Sequence, residues 1–175
     1  MNADRNSTSG ERLLVADFAN ANEVDAWTSI DDVVMGGLSS STLTPSGSGT
    51  AIFAGHVSRE NGGGFASVRS PSVERELAGC RGLRIRFRSD GQRYRLRVRT
   101  TSAFDGIVYQ AEFVGERGVW TTLDLAFADF VPVLRGAVVH GAPPLDPARI
   151  VSFGLLIARE EAGAFRLEIA SLEAF

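Results

Sequence analysis

The sequence contains no lysine, a single cysteine and no long apolar run, and each of these features excludes something. All 18 basic residues are arginine and 21 residues are acidic, so the net charge of −3 does not point to nucleic acid as a partner. With Cys80 alone, no intrachain disulfide can form. No stretch approaches the ~20 apolar residues that cross a bilayer, and the N-terminus lacks the apolar segment of a signal peptide. We therefore expect a cytoplasmic protein without a membrane span, and a bacterial source fits this composition.

Length and composition favour one globular domain. A chain of 175 residues, 44% of them hydrophobic, can bury roughly 70% of the surface that it exposes when unfolded, so it needs no metal or disulfide to fold. Residues 1–11 are polar, and we predict a disordered tail there. Residues 12–175 contain no repeat or linker, and we predict a single domain over that range.

Alternating apolar and polar residues predict an all-β fold. The extended runs cover residues 13–18, 39–44, 50–58, 65–70, 82–89, 93–101, 106–115, 119–127, 150–158 and 164–175. Helix signals are scarce, although Asp146 followed by Pro147 is typical of an N-cap and a first-turn proline. About ten short strands with almost no helix indicate a sandwich or a barrel.

An arginine ladder occupies two consecutive predicted strands. Arg84, Arg86 and Arg88 share one face of the first strand, and Arg93, Arg95, Arg97 and Arg99 share one face of the second. Ser89-Asp90-Gly91-Gln92 has Asp-Gly at its centre and predicts a hairpin, which would set both rows side by side. The ladder is then either an anion-binding surface or a solvated face balanced by Glu112, Asp124 and Glu168, which occupy polar positions of matching parity.

Two glycine-rich loops are the other candidate sites. Asp31 and Asp32 precede Gly36-Gly37, so Asp32 is either an oxygen ligand in a binding loop or a cap on backbone amides. Asn61 begins the run Asn61-Gly62-Gly63-Gly64, which is either an anion-binding nest or a flexible hairpin loop. In the first case Arg59, Glu60 and Asn61 are its polar contacts, with Arg69 nearby on the following strand. We expect positive φ angles among Gly36, Gly37, Gly63 and Gly64.

Five aromatic residues could stack on sugars or pack in a core. They are Trp27, Trp120, Phe127, Phe130 and Phe165. Most of them lie in apolar-periodic segments, which favours core packing. A sugar-binding platform would need such rings on an exposed sheet face or on a rim loop.

Several segments resemble the complex I intermediate-associated protein 30 family. WTSIDDVVMGGLSSS (27–41) is similar to its Trp…Asp-x-Val-Met-Gly-Gly-x-Ser signature, and FAGHVSRENGGGFASVRS (53–70) to its Gly-Gly-Phe-Ala-Ser-x-Arg segment. GLRIRFRSDGQRY (82–94), VWTTLDLAFADFVPVLRG (119–136) and the closing strands also match in order. The resemblance implies a jelly-roll β-sandwich of the galactose-binding-domain-like type. It also implies a role in assembling respiratory complex I.

We therefore expect a non-catalytic binding or assembly module that acts through protein contacts, with respiratory-complex subunits as the implied partners. We expect no cofactor, no metal and no catalytic residues, since neither a nucleophile elbow nor a metal-spaced histidine pair is present. A carbohydrate-binding module is the first alternative, because such sandwiches often bind sugars. An enzyme acting on an anionic small molecule held by the arginine face is the second.

Overall fold

Two antiparallel sheets form a β-sandwich of the jelly-roll type in the computed structural model, as the sequence predicted. The structure describes residues 12–158, 160 and 162–175, so the predicted tail at 1–11 lies outside the described residues. Each of the ten predicted extended runs contains a strand. Three short strands were not predicted, and all three lie at or next to the edge of a sheet.

The strands form two sheets, and the chain passes back and forth between them. Sheet 1 contains β1 (Leu13–Ala16), β3 (Ser40–Pro45), β4 (Ala51–Val57), β6 (Gly82–Ser89), β9 (Trp120–Ala126) and β13 (Gly163–Ala174), in the order β3-β4-β13-β6-β9 with β1 also paired to β13. Sheet 2 contains β2 (Thr28–Ser29), β5 (Phe65–Arg69), β7 (Tyr94–Arg99), β8 (Val108–Phe113), β10 (Val131–Leu134), β11 (Ala137–Val138) and β12 (Ser152–Ala158), in the order β11-β10-β8-β7-β12-β5-β2.

Helical structure is confined to short segments. The α-helix α1 (Ala21–Asp25) begins at Asn20, whose side chain accepts a hydrogen bond from the Asn22 N–H. Among the described residues, 3-10 turns cover Asp32–Met35, Glu60–Gly62, Phe127–Asp129 and Pro147–Arg149. Asp146 caps the last of these by accepting from the Ala148 N–H, as predicted. Within the part of the chain that the structure describes, no helix is long and apolar enough to cross a bilayer.

The core lies between the inner faces of the sheets and is rich in aromatic rings. Phe53 and Phe165 of sheet 1 lie with ring centroids 4.8 Å apart, and Phe87 meets Phe113 of sheet 2 edge to face at 4.9 Å. Tyr94 packs among them and is completely buried. Such pairs stabilise a fold by about 0.5–1.5 kcal/mol beyond the area they bury.

Four of the five aromatic residues singled out from the sequence are buried, which confirms core packing for them. They are Trp27, Phe127, Phe130 and Phe165. Trp120 is the exception. It lies on the outer face of sheet 1, where the guanidinium groups of Arg86 and Arg88 sit 5.3 and 5.1 Å from the ring centroid.

The predicted hairpin at residues 82–101 is wrong. β6 pairs with β13 and β9 in sheet 1, whereas β7 pairs with β8 and β12 in sheet 2. The Asp90-Gly91 turn therefore carries the chain from one sheet to the other. The Asp90 carboxylate fixes this corner by accepting from the Gln92 and Arg166 N–H groups and from the Tyr94 hydroxyl.

Because the turn is a corner, the seven arginines do not form one patch. Arg84, Arg86 and Arg88 lie on the outer face of sheet 1, with core residues such as Ile85 and Phe87 between them pointing inward. Arg95, Arg97 and Arg99 lie on the outer face of sheet 2, and Arg93 just precedes them. The two rows face away from each other on opposite sides of the sandwich.

Candidate functional site

A groove of about 660 Å³ lies over the outer face of sheet 2. Its floor comes from β5, β7, β8 and β12, the central strands of that sheet. Its ends are formed by the loop between β7 and β8, the turn between β10 and β11, and the glycine-rich loop before β5. A cavity of this size is in the range of ligand-binding clefts.

The middle of the floor is low because β12 places small side chains there. Ser152 and Gly154 of β12 face the groove, and the core residues Phe153 and Leu155, which alternate with them, point inward. Gly154 pairs with Arg97 of β7 on one side and with Arg69 of β5 on the other. Neighbouring strands lie about 4.8 Å apart, so two arginine backbones stand roughly 10 Å apart across a strip that has no side chain.

Arg97 is the arginine at the centre of this floor. Its Nε is buried and has no hydrogen-bond partner among the described residues. The Oγ of Ser152, which pairs with Arg99 one step along β12, is likewise buried and unpartnered. A buried polar group without a partner costs about 1–3 kcal/mol, so the floor holds two donors whose hydrogen-bonding capacity is unused.

The pKa values of three groove arginines reflect this crowding. Desolvation by burial, with the like charges of Arg99, Arg69 and Arg95 adding to it, lowers the pKa of Arg97 to about 10. Burial also lowers the pKa values of Arg69 and Arg99. All three guanidinium groups still carry their charge at pH 7, so positive charge is concentrated where solvent shields it poorly.

Acidic residues balance only part of this charge. Arg95 pairs with Glu112 at 3.0 Å and with Glu160 at 3.5 Å. Arg135 pairs with Asp105 at 2.5 Å at the rim. For Arg69, Arg97 and Arg99 no carboxylate among the described residues lies within ion-pairing distance. The lining holds five arginines, and the three carboxylates Asp105, Glu112 and Glu160 pair with only two of them, Arg95 and Arg135.

The loop between β7 and β8 closes one end of the groove and is itself held by arginine. Arg99 donates hydrogen bonds from Nη1 to the carbonyl oxygens of Ala103 and Phe104, each at 3.3 Å. The Phe104 ring, 69% exposed, lies 5.7 Å from the guanidinium carbon of Arg69. Val34 and Met35, 67% and 64% exposed, line the groove from the turn at Asp32–Met35. The rim thus carries exposed apolar side chains beside the Arg135–Asp105 ion pair, whereas the floor is cationic.

Asp32 fixes the wall that carries Val34 and Met35, and it does not face the ligand space. It is fully buried, and its carboxylate accepts from the N–H and hydroxyl of Ser39 and from the N–H groups of Gly64 and Phe65. Burial acts to raise the pKa of Asp32, but these hydrogen bonds outweigh it and hold the pKa below its ordinary value. The amide-capping interpretation therefore describes the contacts of Asp32, whose two carboxylate oxygens accept these four hydrogen bonds.

The tandem glycines allow both loops to approach that carboxylate. A Cβ at Gly37 would lie 2.3 Å from the Asp32 carboxyl carbon, and a Cβ at Gly63 would lie 2.6 Å from its Oδ2. Positive φ, predicted among the four glycines, is found at Gly36 and Gly64. Neighbouring Asp31 accepts from the Ser41 and Ser67 N–H groups. The two aspartates thus join β3 to β5.

The structure brings together some of the residues singled out from the sequence and separates others. Arg69, Arg95, Arg97 and Arg99 line the groove. Asn61 is exposed at the rim beside the lining residue Gly62, with a φ of 54°, and Arg93 is exposed near Glu112. Arg84, Arg86 and Arg88 lie on the opposite face of the sandwich.

Sequence reasoning missed the groove residues Phe104, Gln110, Arg135, Ser152 and Gly154. One signal was available for Gly154, because an isolated glycine inside an apolar strand often marks a place where a ligand or backbone comes close. Phe104 and Arg135 lie in loops, which have no periodic pattern that could have indicated them.

Among the described residues, no three His, Cys, Asp or Glu side chains are arranged to hold a metal ion. The groove is chemically suited to binding an anion.

Known proteins share this fold. The family 11 carbohydrate-binding module of a cellulosomal cellulase of Clostridium thermocellum superimposes with a TM-score of 0.69 at 16% identity, covering 94% of each chain. A structure of this module with a β-1,3-1,4-mixed-linked tetrasaccharide gives 0.67, also at 16% identity, and covers 94% and 95%. An agarase matches with a TM-score of 0.63 and 11% identity, over 93% of this chain and 24% of its own. Identities this low establish the jelly-roll fold alone.

The family follows from sequence. The chain belongs to the complex I intermediate-associated protein 30 family, whose model matches residues 16–169. It is also 27% identical over 185 residues to "Uncharacterized protein C9E9.15" of Schizosaccharomyces pombe, across 93% of this chain and 83% of that protein. The resemblance seen in the sequence motifs is confirmed at the level of the family.

Proposed function

We propose that the protein is a non-catalytic binding module of complex I assembly, and that the groove on sheet 2 holds a segment of a protein partner. Family membership supports a role related to complex I assembly. The single observation that carries the choice of surface is the groove itself, with its apolar rim and cationic floor. A respiratory-complex subunit is the partner class that the family implies, and a cytoplasmic location in a bacterium belongs to the same proposal.

The groove combines the two kinds of contact that a peptide segment uses. Val34, Met35 and Phe104 offer exposed apolar surface at its edges, where partner side chains gain from desolvation. The arginines of the floor offer several N–H donors each, which suit carboxylates and carbonyl oxygens. An extended segment that bears both apolar and acidic side chains matches this distribution.

A cross-link placed in the groove tests this proposal. Benzoylphenylalanine would replace Phe104 at the rim and, in a matched control, Val119, which is 45% exposed and lies beside β9 of sheet 1. Both variants are expressed in cells of the protein's own organism, and irradiated products are identified by mass spectrometry. We expect the Phe104 variant alone to capture a subunit of the respiratory complex. Equal products from both positions, or none at Phe104, contradict the groove as the partner site.

A carbohydrate is the second candidate ligand. The shared fold with carbohydrate-binding modules and the polar residues Gln110, Asp105 and Glu160 in the groove lining favour it. Against it, Phe104 is the one exposed ring among the described lining residues, whereas neutral sugars are usually held by aromatic faces. Screening the purified protein on immobilised glycans tests this candidate, and binding to acidic glycans that is lost when Arg97 is replaced would favour it over a protein segment.

A further inference from the structure

We infer that the floor of the groove is an oxyanion-binding site formed by Arg69, Arg97 and Arg99 around the small residues Ser152 and Gly154. This inference specifies the ligand chemistry of the proposed binding site, and it rests on the proposed function for the identity of the molecule that carries the anionic group. The ligand chemistry is a carboxylate or phosphate group, carried either by an acidic side chain of the partner segment or by a small polyanion.

The geometry provides a place for the anion. Arg97 and Arg69 flank Gly154 from the two neighbouring strands, and Gly154 itself places no side chain between them. A Cβ added there would lie 2.9 Å from the backbone oxygen of Val68, 3.8 Å from the Cβ of Arg97 and 4.0 Å from the Cα of Arg69, so any larger residue would press on β5 and stand between the two arginines. Glycine at this position therefore leaves Arg97 and Arg69 as the side chains that border this part of the floor.

The donors are also present and not fully used. The buried Nε of Arg97 and the buried Oγ of Ser152 have no partner among the described residues. A bound oxyanion would accept from these groups and would neutralise charge that no neighbouring carboxylate balances. Guanidinium groups match carboxylate and phosphate oxygens in pairs, and the low polarity of a partly enclosed groove strengthens each such contact.

The arginine row on sheet 1 shows that unbalanced charge is not general among the arginines of this protein. On sheet 1, Arg84 pairs with Asp124, Arg88 pairs with Glu168, and Arg86 stacks on Trp120. Arg86 is therefore a matched control for Arg97. Both lie within strands, and both face outward from their sheets.

The test is calorimetric titration of the purified full-length protein with sodium pyrophosphate at low salt, with sodium chloride of equal ionic strength as the blank. A glutamate hexapeptide and its glutamine counterpart are titrated in parallel. The variants are R97Q, R86Q and S152A. We expect pyrophosphate or the glutamate peptide to bind wild type and R86Q, to bind R97Q at least tenfold more weakly, and to bind S152A a few-fold more weakly. The probe that binds identifies the carrier.

The outcomes separate this inference from the proposed function. Equal binding by wild type, R97Q and R86Q, or no binding of either anionic probe by folded wild type, overturns the oxyanion site. S152A removes one hydroxyl and keeps the assay informative if R97Q does not fold. A protein partner cross-linked at Phe104 together with a failed titration leaves the proposed function standing. Pyrophosphate binding without a cross-linked partner leaves the oxyanion site standing alone.

Discussion

The two outer faces of the sandwich carry similar arginine rows in different surroundings. On sheet 1, Arg84 makes a two-point ion pair with Asp124 at 2.5 and 2.6 Å, and Arg88 pairs with Glu168 at 2.5 Å. On sheet 2, the central Arg97 has no carboxylate beside it among the described residues and has a depressed pKa. The same alternating sequence pattern thus produces one balanced surface and one unbalanced surface.

The difference lies in what the neighbouring strands contribute. β9 and β13 place Asp124 and Glu168 beside the row on sheet 1. β12 places Ser152 and Gly154 beside the row on sheet 2, and β8 places the neutral Gln110 opposite Arg97. Unbalanced charge costs stability, and proteins commonly accept that cost at binding sites. The contrast between the rows therefore supports the proposal that sheet 2 carries the binding face.

The largest effect is expected from breaking the wall that gives sheet 2 its groove. Asp32→Asn removes acceptor capacity that four hydrogen bonds use at a fully buried position. We expect the free energy of unfolding to fall by about 3 kcal/mol. Urea denaturation measures it, with Asp129→Asn, an exposed change, as the control. A wall variant as stable as the control would mean that these bonds do not hold the loops.

The second effect comes from unbalancing the row on sheet 1. Glu168 is nearly buried, and it accepts from Arg88 and from the Thr50 hydroxyl. Glu168→Gln leaves Arg88 without its charge partner, and we expect a loss of about 1–2 kcal/mol in the free energy of unfolding. Loss of less than about 0.3 kcal/mol would show that Glu168 does not balance the row.

The pH dependence of stability gives an independent reading of the same pair. Hydrogen bonds from Arg88 and Thr50 lower the pKa of Glu168 below its ordinary value. A depressed carboxyl pKa stabilises the fold above the pKa of the unfolded chain, about 4.3, and this contribution is lost as pH falls through the folded value. The free energy of unfolding, measured by denaturation at several values between pH 7 and pH 3, should therefore decrease less with falling pH for Glu168→Gln than for wild type.

The third expected effect is an increase in stability, and it distinguishes the two arginine rows most clearly. Because burial and like charges penalise the charged form of Arg97 at pH 7, Arg97→Met should raise the free energy of unfolding by about 1–2 kcal/mol. Arg86→Met loses a contact with Trp120 and should lower it by about 0.5 kcal/mol. Thermal melts at pH 7 and low salt compare them. If both variants change the free energy of unfolding in the same direction, the two rows do not differ as described.

The smallest effect is expected for the exposed pair on sheet 1. Arg84 and Asp124 have side chains that are 25% and 44% exposed. Exposed ion pairs contribute little because solvent and salt screen them, so a double-mutant cycle with Arg84→Gln and Asp124→Asn should give a coupling energy of about 0.5 kcal/mol. A coupling above about 2 kcal/mol would show that balance on this face is worth more than the account assigns to it.

Periodicity predicted the strands well but could not assign them to sheets. Two arrangements bury the apolar side chains of β6 and β7, namely Ile85, Phe87, Tyr94 and Leu96. The strands can pair as a hairpin on one side of the core, or they can lie in different sheets and face each other across the core. The apolar pattern is the same in both arrangements, so it cannot distinguish them. The corner depends on Asp90, whose carboxylate accepts a hydrogen bond from the Arg166 N–H of β13, 76 residues away in the chain. A local turn signal does not contain that information.

The candidate site was predictable only in part, for related reasons. The arginines were visible as alternating rows. Glu112, Asp124 and Glu168 were named in one of the two alternatives as the acids that would balance them, and each does pair with one arginine, Arg95, Arg84 and Arg88 respectively. Which arginine remains unbalanced depends on strand order, because Arg97 lies beside β12 and β8 only in the folded sheet. The rim depends on loop conformations around Phe104 and Arg135, which no periodic pattern encodes.

The most direct test of the central claim observes both arginine rows in one experiment. Pyrophosphate is titrated into nitrogen-15 labelled protein at low salt, and the Nε–H signals of the arginines are followed by NMR after assignment through single Arg→Gln variants. We expect saturable shifts for Arg69, Arg97 and Arg99, with no comparable change for Arg84, Arg86 and Arg88. Equal shifts in both rows, or shifts confined to the row on sheet 1, would contradict this expectation.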